Sequence, residues 1–382
     1  MNDAVDAERH AWLKSLGAFA VATAIFTGAF SAILRVQTWS DMAQHIAYAE
    51  RIQSVSDLTS PHFLFQLVLK AVHAIGLSYN AAAAWVLGAC YGGMAALIAR
   101  EIRRRGSRLT TTHALLVVPA VLIASHVFLL TIDPPALYHG YFAPIAYHNP
   151  TQQPNKLFTL WIYFIYCAQF LDRRRAEARP VALAGGLTVL SALAKPSFLI
   201  AFLPTAGLFA LADLIRRRWR QVLMFAVGIA LPATLVLLWQ AIRTYGSTPG
   251  TGVIFAPFAV FDFAETLFKL PASLLFPIVV AGVALRGGVR DPKFTFAWVF
   301  TAVAMCFTLL VGEAGPRLGE GNFAWTGQTA VFLIYVESLL LLIVRSDLAR
   351  WRRAAWAAFA LHVVCGVVWY AVVFSRDWSR WL

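Results

Sequence analysis

Long uncharged apolar runs recur from one end of this sequence to the other, and no other feature restricts the fold as strongly. Of 382 residues, 59% are apolar and only 13% are charged. A water-soluble chain of this length would divide into two or three domains, each needing a polar surface. Runs rich in aromatic residues, rather than alternating ten-residue segments, argue against a membrane β-barrel and predict helices that cross a bilayer. The reading is an all-α polytopic helical bundle, one integral membrane domain over 1–382, with no separate soluble domain. The opening "MNDAVDAERHAW" is too short and too acidic for a signal-peptide n-region, so the first run is read as a retained span.

The net charge of +13 is decided by where the charges lie. Basic clusters stand at "REIRRRGSR" (100–108), "DRRRAEAR" (172–179), "RRRWR" (216–220), "RGGVRDPK" (286–293) and "RSDLARWRR" (345–353), each short and each following an apolar run. That is the pattern of short cytoplasmic loops, and it removes nucleic acid from the expected partners. Spans are predicted at 12–34, 80–99, 111–132, 156–171, 181–195, 197–215, 221–242, 271–286, 293–312, 328–345 and 354–374, eleven in all. With the N-terminus in the cytoplasm, all five clusters fall inside and the C-terminus falls outside. The four cysteines, Cys90, Cys167, Cys306 and Cys365, lie in separate apolar runs and match neither a metal site nor a disulfide framework.

One apolar stretch is set aside. "SPHFLFQLVLKAVHAIGLS" (60–78), read as a span, would throw the 100–108 cluster outside; it is predicted to lie on the outer surface as an amphipathic helix beginning near a proline. A second amphipathic surface piece is predicted at 253–270. Four outer segments, 35–79, 133–155, 243–270 and 313–327, then carry almost all the polar chemistry outside the cytoplasm.

The most suggestive of these is "TWSDMAQHIAYAERI" (38–52), where Asp41 and His45 sit one helical turn apart just beyond the first span. "TWSD" also reads as a capping box, with Thr38 or Ser40 as cap and Asp41 a helix-start residue. At a membrane exit, a carboxylate suits general-base work on a sugar hydroxyl, and an imidazole beside it suits phosphate binding or tuning of its pKa. In "YHNPTQQPNK" (147–156), Thr151 or Asn155 can cap a helix, while His148 and Lys156 suit phosphate oxygens and Asn149 and Gln152 suit sugar hydroxyls. Lys195, between two apolar runs and followed by Pro196, is costly unless paired; it fits a lipid phosphate or snorkels at a helix end. In "EAGPRLGEGNFAWTGQ" (313–328), Arg317 suits a phosphate, Glu320 and Asn322 suit hydroxyls, and Trp325 offers a face to a sugar or anchors at the interface. Arg243 adds another cation. Glu337, inside the tenth predicted span, pairs with a buried cation such as Lys195 or lines the cavity. His113, His126 and His362 read as core or interface histidines.

A first span, an outer loop opening with an acid and a His one turn later, a surface helix begun near Pro61, and a second span ending in a basic cluster resemble the GT-C superfamily of membrane glycosyltransferases. "AGGLTVLSALAKPSFLIAFLP" (184–204) is similar to the Gly-Leu…Leu-x-Lys-Pro segment of the bacterial dolichyl-phosphate-mannose-transferase-like group. The likeness covers about the first 215 residues. No Asp-x-Asp or adjacent acidic pair follows the first span, and no soluble C-terminal domain is appended. The resemblance implies a GT-C-like fold in the bacterial inner membrane and a polyprenyl-phosphate- or polyprenyl-pyrophosphate-linked sugar donor used on the outer face. The acceptor would be a cell-envelope glycan or lipid, with Asp41 as the base or acceptor-orienting acid and inversion at the anomeric carbon. No cofactor is required by the residues themselves, and a divalent metal is compatible with the resemblance. Two other classes share the phosphate contacts: a transporter or flippase for a lipid-linked sugar, and a polysaccharide polymerase or ligase built on outer-loop arginines such as Arg243 and Arg317.

Overall fold

The computed structural model describes residues 2–36, 40–58, 60–106, 111–128, 141–144, 147–172, 175–246, 250–345 and 351–375. Thr38 and residues 133–140 lie outside them. The elements run α1 (Asn2–Val36), α2 (Asp41–Arg51), α3 (Leu64–Ala74), α4 (Tyr79–Arg104), α5 (Thr111–Ile123) and α6 (Gln152–Tyr166). They continue with α7 (Ala178–Ala194), α8 (Ser197–Ile215), α9 (Trp219–Phe225), α10 (Leu231–Tyr245), β1 (Val253–Phe255) and α11 (Phe263–Arg286). The last are α12 (Pro292–Leu310), β2 (Val311–Glu313), α13 (Ala324–Val344) and α14 (Arg352–Ser375). Two π-helical turns, Cys167–Leu171 and Ala226–Ala230, extend α6 and join α9 to α10.

Among the described residues, eight helical stretches are long and apolar enough to cross a membrane. Helix is found within each of the eleven predicted spans, but α5, α6 and α7 are only 13, 15 and 17 residues long, and residues 129–132 of span 111–132 lie outside the described residues. Span 111–132 is corrected most: helix stops at Ile123. Ser125 N then donates to His362 O at 3.0 Å and Val127 N to Ala272 O at 3.2 Å, so the extended chain spends its backbone groups on α14 and α11 instead. The predicted surface helix at 253–270 is also corrected. Residues 253–255 pair antiparallel with 311–313, Val253 opposite Glu313, and helix begins only at Phe263, where the Asp262 carboxylate caps Glu265 N at 2.8 Å. The amphipathic helix predicted over 60–78 is confined to α3.

Packing follows the small residues. Gly88 and Gly92, one turn apart on α4, face α1 so closely that a Cβ on Gly88 would stand 2.8 Å from Thr27 N. In lipid, where apolar burial gives helices little reason to associate, such backbone approach is the main source of attraction. Helix α13 is the axis of the bundle, buried on every side from Thr326 to Ile343. Histidines 126 and 362 are buried in the core, and His362 Nε2 accepts from Phe276 N at 3.2 Å.

The basic clusters come together at one end. Arg104 lies 3.3 Å and Lys293 2.5 Å from Asp172, and Arg286 covers the Trp351 ring at 5.0 Å. Glu337, for which Lys195 was one predicted partner, is paired with Arg105 at 2.5 Å, and Arg105 also holds Glu101 at 2.7 Å. Breaking a buried pair of this kind costs about 3–5 kcal/mol, because it strands the other charge. At this end α8 terminates in a left-handed residue, Arg217 (φ 59°), in the position glycine usually fills. The described parts of the loops predicted to be outer gather at the opposite end, where Asn149 meets Asp41, Gln240 meets Pro61 and Tyr245 meets Glu313.

Candidate functional site

Helix α2 starts at Asp41, after Ser40 in an extended conformation (φ −85°, ψ 168°) whose side chain makes no capping bond. An acid in the first turn is favoured by the helix dipole, so Asp41 does have a structural role. It also has a second partner: Asn149 Nδ2 donates to Asp41 Oδ2 at 3.0 Å, while Thr151 Oγ1 donates to Asn149 Oδ1 at 2.7 Å. Two segments far apart in sequence thus fix the carboxylate.

One turn on, His45 points inward with Met42, Ile46 and Ala49. Gln66 Nε2, from α3, donates to His45 Nδ1 at 2.7 Å, which leaves the ring proton on Nε2. Burial, then the positive charge of Lys195, pushes His45 down to about 4 against the pull of Asp41. The imidazole is neutral at ordinary pH.

Lys195 sits at the break between α7 and α8, with extended backbone (φ −168°, ψ 134°). It is 7% exposed, and its ammonium stands 4.6 Å from the centroid of the Trp325 ring. Among the described residues that ammonium makes no hydrogen bond or ion pair. Beneath it, Asn155, Ser191 and Ser197 form a buried polar floor, Ser191 Oγ donating to Asn155 Oδ1 at 3.0 Å and Asn155 Nδ2 to Ser197 Oγ at 3.1 Å. Gln152 joins the floor through Thr329, at 3.4 Å, rather than facing open space.

A cavity of about 100 Å³ opens beside Lys195, bounded by His62, Gln240, Tyr245, Glu313 and Arg317. Glu313, at the end of β2, accepts from the Tyr245 hydroxyl at 2.6 Å and Arg317 Nε at 3.2 Å, and from the Asn322 side chain. Asn322 also reaches Glu320 at 2.9 Å. His62 is held down to about 3 by burial first and Lys195 second. Gln240 Nε2 clamps this end, donating to Pro61 O at 2.9 Å and Ala192 O at 2.7 Å. His148 lies 5.3 Å from Trp325, and burial lowers its pKa while Asp41 raises it.

Of the residues singled out from sequence, Asp41, His45, His148, Asn149, Lys195 and Trp325 belong to one neighbourhood, with Arg317 and Asn322 across the cavity. Lys156 is placed differently. It is 1% exposed and its ammonium donates to Pro144 O at 2.7 Å, so its charge is spent on backbone. Arg243 stays at the rim, reaching Leu58 O at 3.3 Å. His62, Gln66 and Tyr245 do not stand out from the sequence as site candidates, and Glu313 stands out only as a member of the 313–328 cluster, without a role of its own. Of these, His62 carried a usable signal, its position next to Pro61 in the first turn of the predicted surface helix. Among the described residues, no three His, Cys, Asp or Glu side chains converge as a metal-binding group.

The chain matches no protein-family model and no curated protein sequence.

Proposed function

We propose that the chain is a membrane glycosyltransferase of GT-C type, which moves a sugar from a polyprenyl-phosphate-linked donor to a glycan or lipid acceptor. One observation carries the reading: a buried ammonium, Lys195, without a hydrogen-bonding anion, beside a carboxylate that is positioned by Asn149. A phosphate entering the cavity would supply the missing negative charge, and in a low-dielectric site that attraction is strong. The neutral imidazoles of His45, His62 and His148 offer N–H groups without adding charge, and the Trp325 face suits a sugar ring.

In the reaction the acceptor hydroxyl oxygen attacks the anomeric carbon as its proton passes to Asp41. The bond from that carbon to the phosphate oxygen breaks, and polyprenyl phosphate leaves with the electron pair, its growing charge met by Lys195. A single displacement inverts the anomeric centre. The positive-inside pattern orients the site toward the outside of a bacterial inner membrane, with a cytoplasmic N-terminus and an external C-terminus.

A flippase for a lipid-linked sugar is the competing reading. It is favoured by the Lys195–Pro196 break between two apolar helices, since broken helices near polar groups recur in transporters. Comparing transfer with donor binding in Asp41→Asn separates the two.

A further inference from the structure

We propose that the basic end of the bundle carries a second site, one that binds the phosphate headgroup of an anionic membrane lipid between α8, the first π-helical turn and the start of α12. The cleft there has a volume of about 350 Å³, and its lining includes Tyr166, Phe170, Phe209, Arg216, Arg218 and Arg290. It lies at the far end of α8 from Lys195, about 28 Å along a 19-residue helix, so it is separate from the candidate transfer site.

Its charges are unevenly satisfied. Arg218 pairs with Asp213 at 3.2 Å, and Asp291 spends Oδ1 on Lys293 N and Phe294 N at 2.8 and 3.2 Å as the cap of α12. Among the described residues, Arg216 and Arg290 have no carboxylate partner. Arg216 and Arg290, with no ion pair of their own, thus stand over an aromatic floor in a cleft whose two carboxylates, Asp213 and Asp291, are engaged by Arg218 and by the start of α12. The floor is also fixed from behind. Gln221 Nε2 donates to the carbonyl of Gln169 within the π turn at 3.3 Å, and Gln169 Oε1 accepts from Glu177 N at 2.9 Å. Such π turns are frequent at functional positions.

A free phosphate would need only the arginines, but the surroundings fit a chain as well. Leu208, Leu211 and Ile215 are 54%, 53% and 76% exposed and form one stripe of α8 leading to Arg216. A lipid can lay an acyl chain along this stripe and place its phosphate between Arg216 and Arg290. Basic pockets between membrane helices bind anionic headgroups in this way.

The test uses the full chain in nanodiscs of phosphatidylcholine doped with phosphatidylglycerol, with retained lipid counted by native mass spectrometry. Arg216→Gln with Arg290→Gln should cut retained phosphatidylglycerol by roughly tenfold or more, while Arg220→Gln, in the same basic cluster but outside the cleft, should leave it unchanged. Both arginines are exposed, and matching melting curves check that the variants fold. Equal loss in Arg220→Gln, or no loss in the double variant, overturns the site. Displacement of phosphatidylglycerol by millimolar inorganic phosphate overturns its assignment to a lipid.

Discussion

The Lys195 ammonium stands 4.6 Å from the centre of the Trp325 ring and makes no hydrogen bond or ion pair among the described residues. A cation over tryptophan in a desolvated position gains about 2 kcal/mol, well below the cost of burying the charge. The free protein therefore holds an unfavourable charge that an anion would relieve. Lys195→Met keeps most of the stem and removes that charge. It should bind a short-chain polyprenyl phosphate roughly tenfold to a hundredfold more weakly, as for loss of a charged hydrogen bond. Its melting temperature should match or exceed that of the parent. Arg317→Ala should weaken binding less, because that guanidinium is already shared between Glu313 at 3.2 Å and Glu320 at 3.5 Å. Unchanged affinity in both variants would place the phosphate elsewhere.

Acid should destabilise the loop end of the bundle. His45 and His62 are lowered from 6.5 to about 4 and about 3. The unfolded chain takes up protons first, so their neutral-state stability is complete above pH 6.5 and is lost as pH falls toward 4. Each contributes at most a few kcal/mol to that loss. Thermal unfolding in detergent from pH 7 to pH 4 should show the decline, and His45→Gln should flatten it. A melting temperature independent of pH would contradict the burial of these rings.

How much of this was legible in the sequence depends on which forces set each element. Apolar runs and arginine clusters are local signals, and they marked where helix lies and which ends share a side. The stop of α5 at Ile123 was not legible, because the next residues leave the helix for partners on α11 and α14, more than a hundred residues away. The strand at Val253–Phe255 was missed for the same reason: its pairing with Val311–Glu313 outweighs an amphipathic pattern that reads equally well as surface helix. In the candidate site, Asp41, His45 and Lys195 stood out because charge is rare in such a chain. Lys156 looked equivalent, but no local pattern announces that a carbonyl at Pro144 takes its ammonium. Glu313 is visible as one of several polar residues in 313–328, but its role as a hub appears only once Tyr245, Arg317 and Asn322 are seen to meet on it.

The refolded stretch after α5 gives a stability prediction. A Cβ on Gly366 would lie 2.0 Å from Ile123 O, and a backbone oxygen cannot yield as a flexible side chain can. Gly366→Ala should cost about 1–3 kcal/mol, the usual penalty of overpacking. Gly17→Ala, with nothing within 4 Å of the added carbon, should be neutral or slightly stabilising. Melting of the two variants in the same detergent checks the pair, and equal melting temperatures would contradict the close approach of α14 to the end of α5.

Topology can be tested directly. Reporter fusions after Arg105 and after Arg218 should both report the cytoplasm, and one after Ser60 the outside. A cytoplasmic signal at Ser60 would put the Asp41 cavity in the wrong compartment for an externally used donor.

The most direct test of transfer chemistry is Asp41→Asn, assayed for sugar transfer and for donor-lipid binding in the same preparation. Asparagine keeps the size, caps a helix nearly as well, and still offers an oxygen to Asn149, so the protein should fold and bind donor lipid. It cannot take a proton from the acceptor hydroxyl. Transfer should therefore fall by roughly two to four orders of magnitude, the usual worth of a positioned base. A stable Asp41→Asn protein with near-normal transfer would contradict the catalytic role of this carboxylate.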